Sequence, residues 1–354
     1  MALQNSILEK EVVLEAETSK RLGIEDFRDL GLLSDSGKIR LLPTQRYFNE
    51  HENYFPVLPQ LYDAWRNESE YMVFKHVDSE EKTLYLAVKC SKRGNDVYNA
   101  RIKRRFGFFR NNMRDVRFFS TDPKSFKTDV KVKTKLLWVT LTWNPRLFSI
   151  RNAWKSEVGK AWNRFISAVR RRYGKVHALR SWETYDNGYP HIHAVLWFEK
   201  AEFTVFPHYS EKKARLEFRI QEKHDFESLW HSWVDIEALP SIKKMANYVL
   251  KYQLKVNEGK ESRGSGSNTL AFMWLFRKRS YACSRDLQAK FIDSIRDLRN
   301  SNMEKDGSWE FLGVFSGHDL GLSGEWAAAV DPGRLKGLLP DGNSNIDEGI
   351  SYWD

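Results

Sequence analysis

Hydrophobic positions recur along the middle of the chain at two distinct periods. Leu136-Leu137-Trp138-Val139-Thr140-Leu141-Thr142-Trp143 is a β-branched and aromatic run halted by Asn144-Pro145, the pattern of a buried strand that ends in a turn. Trp154, Val158, Trp162, Phe165, Ile166, Val169 and Tyr173 then return at spacings of three and four, with Gly174 behind them. That spacing predicts an amphipathic helix. Lys175 to Tyr185 and Tyr189 to Phe198 flank Asp186-Asn187-Gly188, so they read as two strands of a hairpin. Strand, helix, strand, strand in this order predicts an α+β fold, a central antiparallel β-sheet flanked by helices.

The flanks carry weaker patterns. Ile7 to Leu22 is a charged, weakly amphipathic helix candidate, and Phe48 to Phe55 is aromatic and turn-prone. Tyr71 to Phe74 and Thr83 to Lys89 read as short strands, Thr121 to Lys135 as a Lys-rich linker, and residues 203–220 as an extra hairpin. After Pro240, Ser241 to Val256 has a helical period. Its apolar arc is Ile242, Met245, Ala246, Val249 and Val256. Asn257 to Asn268 is Gly/Ser-rich and reads as a loop, Met273 to Tyr281 as strand-like in part, and Asp286 to Leu298 as a helix. Trp309 to Phe315 predicts a strand within a Gly-rich, acidic tail, and the last fifteen residues have the composition of a disordered end. The expected organisation is an N-terminal extension (1–130), a central domain (131–300) and a tail (301–354).

Composition narrows the partner. The 354 residues carry a formal charge of +10 and include 13 Trp, 14 Tyr and 22 Phe. Positive charge favours a polyanion, and the aromatic content favours nucleic acid over a membrane surface. Both features are concentrated between Lys92 and Arg117. There Arg101, Lys103, Arg104, Arg105 and Arg110 interleave with Phe106, Phe108 and Phe109. Guanidinium forks suit phosphates and rings suit unstacked bases, while a solvated helix with apolar residues turned inward explains the same letters. Cys90 and Cys283 form no C-x-x-C pair, which argues against a cysteine zinc site or a disulfide framework. No run reaches the ~18 apolar residues of a membrane span, and the first residues lack a signal peptide's apolar centre. A cytoplasmic location, away from membranes, is expected. Neither G-x-x-x-x-G-K-[ST] nor G-x-G-x-x-G occurs, so an ATP-driven motor within the chain is not expected.

Two stretches carry candidate chemistry. On a strand His191 and His193 face the same way, roughly 6–7 Å apart, and the hairpin brings Glu183 alongside. Two imidazoles and a carboxylate make a site with open positions for a substrate oxygen, suited to Mn²⁺ or Mg²⁺. The second stretch is the helix after Pro240, where Tyr248, Lys251, Tyr252 and Lys255 share one arc. A free phenol titrates near pH ~10 and needs help to act as a nucleophile. Adjacent ammonium groups or a metal-polarised phosphate provide it. His208, His224 and His231 lack a same-face partner at strand spacing and are weaker ligand candidates.

WVTLTW, GYPHIHAVLWF and NYVLKYQLK, in that order, resemble the motifs of the HUH endonuclease superfamily, in particular rolling-circle replication initiators (Rep proteins) of small plasmids and viruses in the two-tyrosine branch. The resemblance covers about Leu136 to Leu298. It implies an HUH, RRM-like core in which His191, His193 and Glu183 hold the metal and Tyr248 and Tyr252 attack DNA beside Lys251 and Lys255. The implied reaction nicks single-stranded DNA at an origin through a 5′-phosphotyrosine link, frees a 3′-OH for a polymerase and later rejoins strands. With no motor motif present, a host helicase and a host polymerase are the expected partners. A two-tyrosine transposase or relaxase would share this active site. A non-cleaving origin- or RNA-binding protein would share only the charge and the aromatics.

Overall fold

The computed structural model describes residues 24–34, 38–77, 82–112, 118–120, 131–211, 214–241, 265–287, 308–336 and 338. In chain order, helices α1 (Ile24–Asp29), α2 (Leu41–Glu50) and α3 (Leu58–Asn67) precede strands β1 (Glu70–Val77) and β2 (Thr83–Lys89) and helix α4 (Asp96–Asn112). Strands β3 (Val132–Thr134) and β4 (Leu136–Thr142) lead to helix α5 (Val158–Tyr173), then to β5 (Val176–Thr184) and β6 (Pro190–Phe198). Strands β7 (Phe203–Ser210) and β8 (Arg215–Ile220), helix α6 (Lys223–Trp230), strand β9 (Trp233–Ala238), helix α7 (Ser265–Leu275) and strand β10 (Tyr281–Cys283) follow. Strand β11 (Ser308–Ser316), helix α8 (Gly317–Leu320), strand β12 (Ala327–Ala329) and helix α9 (Pro332–Lys336) come last. The fold is α+β with antiparallel sheets, as the patterning predicts.

A five-stranded antiparallel sheet in the order β10-β5-β6-β4-β9 organises the molecule. Alternation along its strands sends Val139, Leu141, Ile192, Ala194, Leu196, Val234 and Ile236 to one face, where they join the main core. Helix α5 contributes Val158, Trp162, Phe165, Ile166 and Val169 to that core. These are the residues of its three-and-four period, and the helix stops at Gly174, whose φ of +80° suits glycine. A π-turn at Ala153–Glu157 precedes it and sets Trp154 fully in the core. The other face carries a smaller cluster of Leu136, Trp138, Leu179 and Val195, covered by Ile102 and Phe106 of α4.

Several expectations need correction. Residues 48–55 are helical, spanning the end of α2 and a 3₁₀ turn at Glu52–Val57, because Phe48 and Phe55 are core residues that pack under the sheet. The stretch read as a linker contains β3, which pairs with β7 of the expected extra hairpin; residues 121–130 lie outside the described residues. The Gly/Ser-rich segment ends earlier than read, since Ser265 already begins α7. Leu270 to Leu275 of α7 are buried on every side, so they show no amphipathic period, and only the short β10 follows as strand. Strand β9 has no clear sequence signal. Strand β11 is where Trp309 to Phe315 predicts it, and it pairs with β1 in a second sheet ordered β11-β1-β2-β12. That sheet draws on both the N-terminal extension and the tail. The candidate helix at residues 7–22, most of that at 286–298 and the chain end fall outside the described residues.

Candidate metal centre

Strand pairing assembles the site. Across β5 and β6, Glu183 stands opposite His191 and Ser181 opposite His193. Across β6 and β4, His191 stands opposite Thr142 and His193 opposite Thr140. Directly paired residues point to the same face, so the three candidate ligands and both threonines share one side. Asn187 and Gly188 close the hairpin. Gly188 has φ +83°, and its carbonyl accepts a hydrogen bond from Trp154 Nε1 at 2.9 Å. A Cβ added at Gly188 would lie 2.6 Å from the Phe272 ring, so glycine alone fits.

The three side chains converge on one point. His191 Nε2 lies 3.1 Å from His193 Nε2 and 3.2 Å from Glu183 Oε2, and His193 Nε2 lies 2.5 Å from the same oxygen. Two imidazole nitrogens and a carboxylate oxygen this close need positive charge among them, carried by protons or by a cation. Ligands about 2.1 Å from a small divalent ion, at right angles, sit about 3 Å from one another, so the donor set fits such an ion. Among the described residues this is the one group of three or more His, Cys, Asp or Glu so arranged. Both histidines are buried. Burial by itself would raise the Glu183 carboxyl, but hydrogen bonds and positive charge from His191 and His193 outweigh it and hold it well below the usual carboxylate range.

Neighbouring side chains aim the ligands. His193 Nδ1 and Thr140 Oγ1 are 3.0 Å apart. With Nδ1–H donating to the hydroxyl, Nε2 keeps its lone pair for an ion. Trp138 stacks on the His193 ring at 5.3 Å. Tyr185 tilts over His191 at 4.5 Å, and its hydroxyl lies 3.0 Å from Thr142 Oγ1. His191 Nδ1 is buried with no hydrogen-bond partner among the described residues. Thr140, Thr142, Trp138 and Tyr185 are absent from the candidate residues of the sequence, because their link to the histidines is set by register between strands.

The remaining candidates divide. Tyr248, Lys251, Tyr252 and Lys255 lie outside the described residues. Arg101, Lys103 and Arg104 are exposed on α4, whose Ile102 and Phe106 pack on the triad's side of the sheet. Inward apolar residues and an outward basic face therefore coexist on one helix. The side chains of Arg105 and Arg110 are outside the described ones. His208 and His224 are exposed, and His231 caps α6 at φ +59°; none joins the triad. Cys90 and Cys283 are free thiols. Among the described residues, no helix is long and apolar enough to cross a membrane.

An α+β fold with a His/Glu triad on an antiparallel sheet is the architecture on which comparison with known proteins bears. Residues 136–257 match the model of a family described as replication-associated proteins of the ORF2 group, and the match supports a replication-associated protein. The matched segment begins at β4, contains the triad and extends over Tyr248 and Tyr252. No curated protein and no solved structure matches the chain.

Proposed function

We propose that this protein initiates rolling-circle DNA replication by cutting and rejoining one DNA strand at an origin. One observation carries the reading: Glu183, His191 and His193 meet at a point on a single sheet face, inside the segment that matches the replication-associated family. Glu183 Oε2 and the Nε2 atoms of His191 and His193 would hold a divalent ion, Mn²⁺ or Mg²⁺. Such an ion, when bound, offsets negative charge developing on a non-bridging phosphate oxygen. Tyr248 and Tyr252 are the proposed nucleophiles, with the Lys251 and Lys255 ammonium groups favouring the phenolate. The phenolic oxygen attacks phosphorus, the new O–P bond forms, the P–O3′ bond breaks, and the departing oxygen takes a proton to become a 3′-OH. Run backwards, the same exchange joins strands without ATP, because the tyrosine ester keeps the phosphodiester's bond energy. The freed 3′-OH would prime a host polymerase, with a host helicase opening the duplex.

The test is a covalent adduct. Incubation with single-stranded oligonucleotides tiled across the replicon that encodes the chain, plus Mn²⁺, should yield a denaturation-resistant protein–DNA species. Mass spectrometry should map it to Tyr248 or Tyr252. An adduct on Tyr185, which is close to the triad, or adducts that persist when both Tyr248→Phe and Tyr252→Phe are introduced, would overturn the assignment. His191→Ala and His193→Ala should abolish cutting while strand binding survives. Binding by the wild type without cutting under any divalent metal would instead favour a non-cleaving origin- or RNA-binding protein.

A further inference from the structure

We infer that the exposed indole of Trp233 is a stacking platform for an unpaired base of the strand that reaches the triad. The inference rests on the reading that this face takes single-stranded nucleic acid, and it adds the residue that would grip a base there.

The geometry is a single row across the sheet. Glu183 pairs with His191, His191 with Thr142, and Thr142 with Trp233, so all four point to one side. Neighbouring strands lie about 4.8 Å apart, which puts the Trp233 backbone about 10 Å across the sheet from that of His191. That is close enough for a strand with its phosphate at the triad to lay a nearby base on the indole. Trp233 is 62% exposed, whereas Val234 and Ile236 of the same strand are buried. A lone exposed aromatic is ordinary, but this one sits in the triad's own row. Beside that row stands a second exposed ring, Tyr185, which leans over His191 and is 44% exposed. The basic face of α4 lies on the same side of the sheet and supplies charge for the phosphates. Every base has a π face, so such a shelf holds any sequence.

The test separates base stacking from phosphate contact, and binding from cutting. Fluorescence anisotropy in EDTA compares oligo(dT) with an abasic deoxyribose-phosphate strand of the same length. The wild type should bind oligo(dT) more tightly than the abasic strand. Trp233→Ala should weaken oligo(dT) binding about ten-fold or more and leave abasic binding unchanged, with Trp233→Phe keeping most of the preference. Equal losses on both strands, or no loss on oligo(dT), would overturn the inference. Because no cutting occurs in EDTA, a wild type that stacks bases through Trp233 yet forms no adduct in Mn²⁺ would sink the nicking reading and leave this one standing.

Discussion

A histidine that offers Nε2 to a metal ion has to keep Nδ1 protonated and held, and in His193 that task falls to Thr140. Thr140→Val should therefore lower Mn²⁺ affinity about 10- to 100-fold by calorimetry, while Thr140→Ser, which keeps the hydroxyl, should bind nearly as the wild type does. Metal removal gives a second check. Mn²⁺ should raise the wild type's melting temperature over that in EDTA, since a ligand that binds only the folded state stabilises it. The increment should vanish in His191→Ala, and it should shrink on acidification, because protons compete for the imidazoles. At this scale the sequence was partly readable. His191, His193 and Glu183 lie on adjacent strands of one tight hairpin, so alternation and turn position suffice to bring them together. Thr140 stands 53 residues from His193 in the chain, and Trp233 joins the row only through β4. No local pattern reports such a register.

At the scale of elements, the hairpin turn governs the site. Gly188 has positive φ and sits against the Phe272 ring, which leaves no room for a methyl group. Gly188→Ala should cost about 1–3 kcal/mol from backbone strain and overpacking, seen as a lower melting temperature. It should also weaken Mn²⁺ binding, because the turn sets the register of Glu183 against His191. Helix α5 and strands β4 to β6 were legible because each has a buried face and a regular period or an unbroken apolar run. Helix α7 was not. Its run Leu270 to Leu275 is enclosed by Phe55, Tyr62 and Trp65 on one side and by Trp154 on another, so it has no polar face to mark the period.

The whole molecule binds the N-terminal extension and the tail more closely than composition suggests. Helices α2 and α3 cover Phe272 and Trp274, with Gln45 Nε2 donating to the Trp274 carbonyl at 2.8 Å. A fragment of residues 131–287 should consequently melt lower than the full chain and bind a hydrophobic dye such as ANS, since removing that cover exposes the aromatic underside of the core. A full-chain melting temperature in the fragment, with no dye binding, would show that the central segment needs no such cover. Removing residues 308–354 should act on the second sheet instead, by unpairing β1 and baring Tyr71 and Val73, which now pack with Leu320 and Leu335.

Local periodicity and turn chemistry in this sequence determined the α+β class, the hairpin and the three side chains that converge on it, because the contacts involved span few residues and repeat at the period of their own strand or helix. The joining of chain ends in one sheet, the burial of α2, α3 and α7 and the company of Thr140, Tyr185 and Trp233 around the triad were decided only by the tertiary structure. Those contacts depend on which distant strands pair and in what register, and that choice is made by the packing of the whole core.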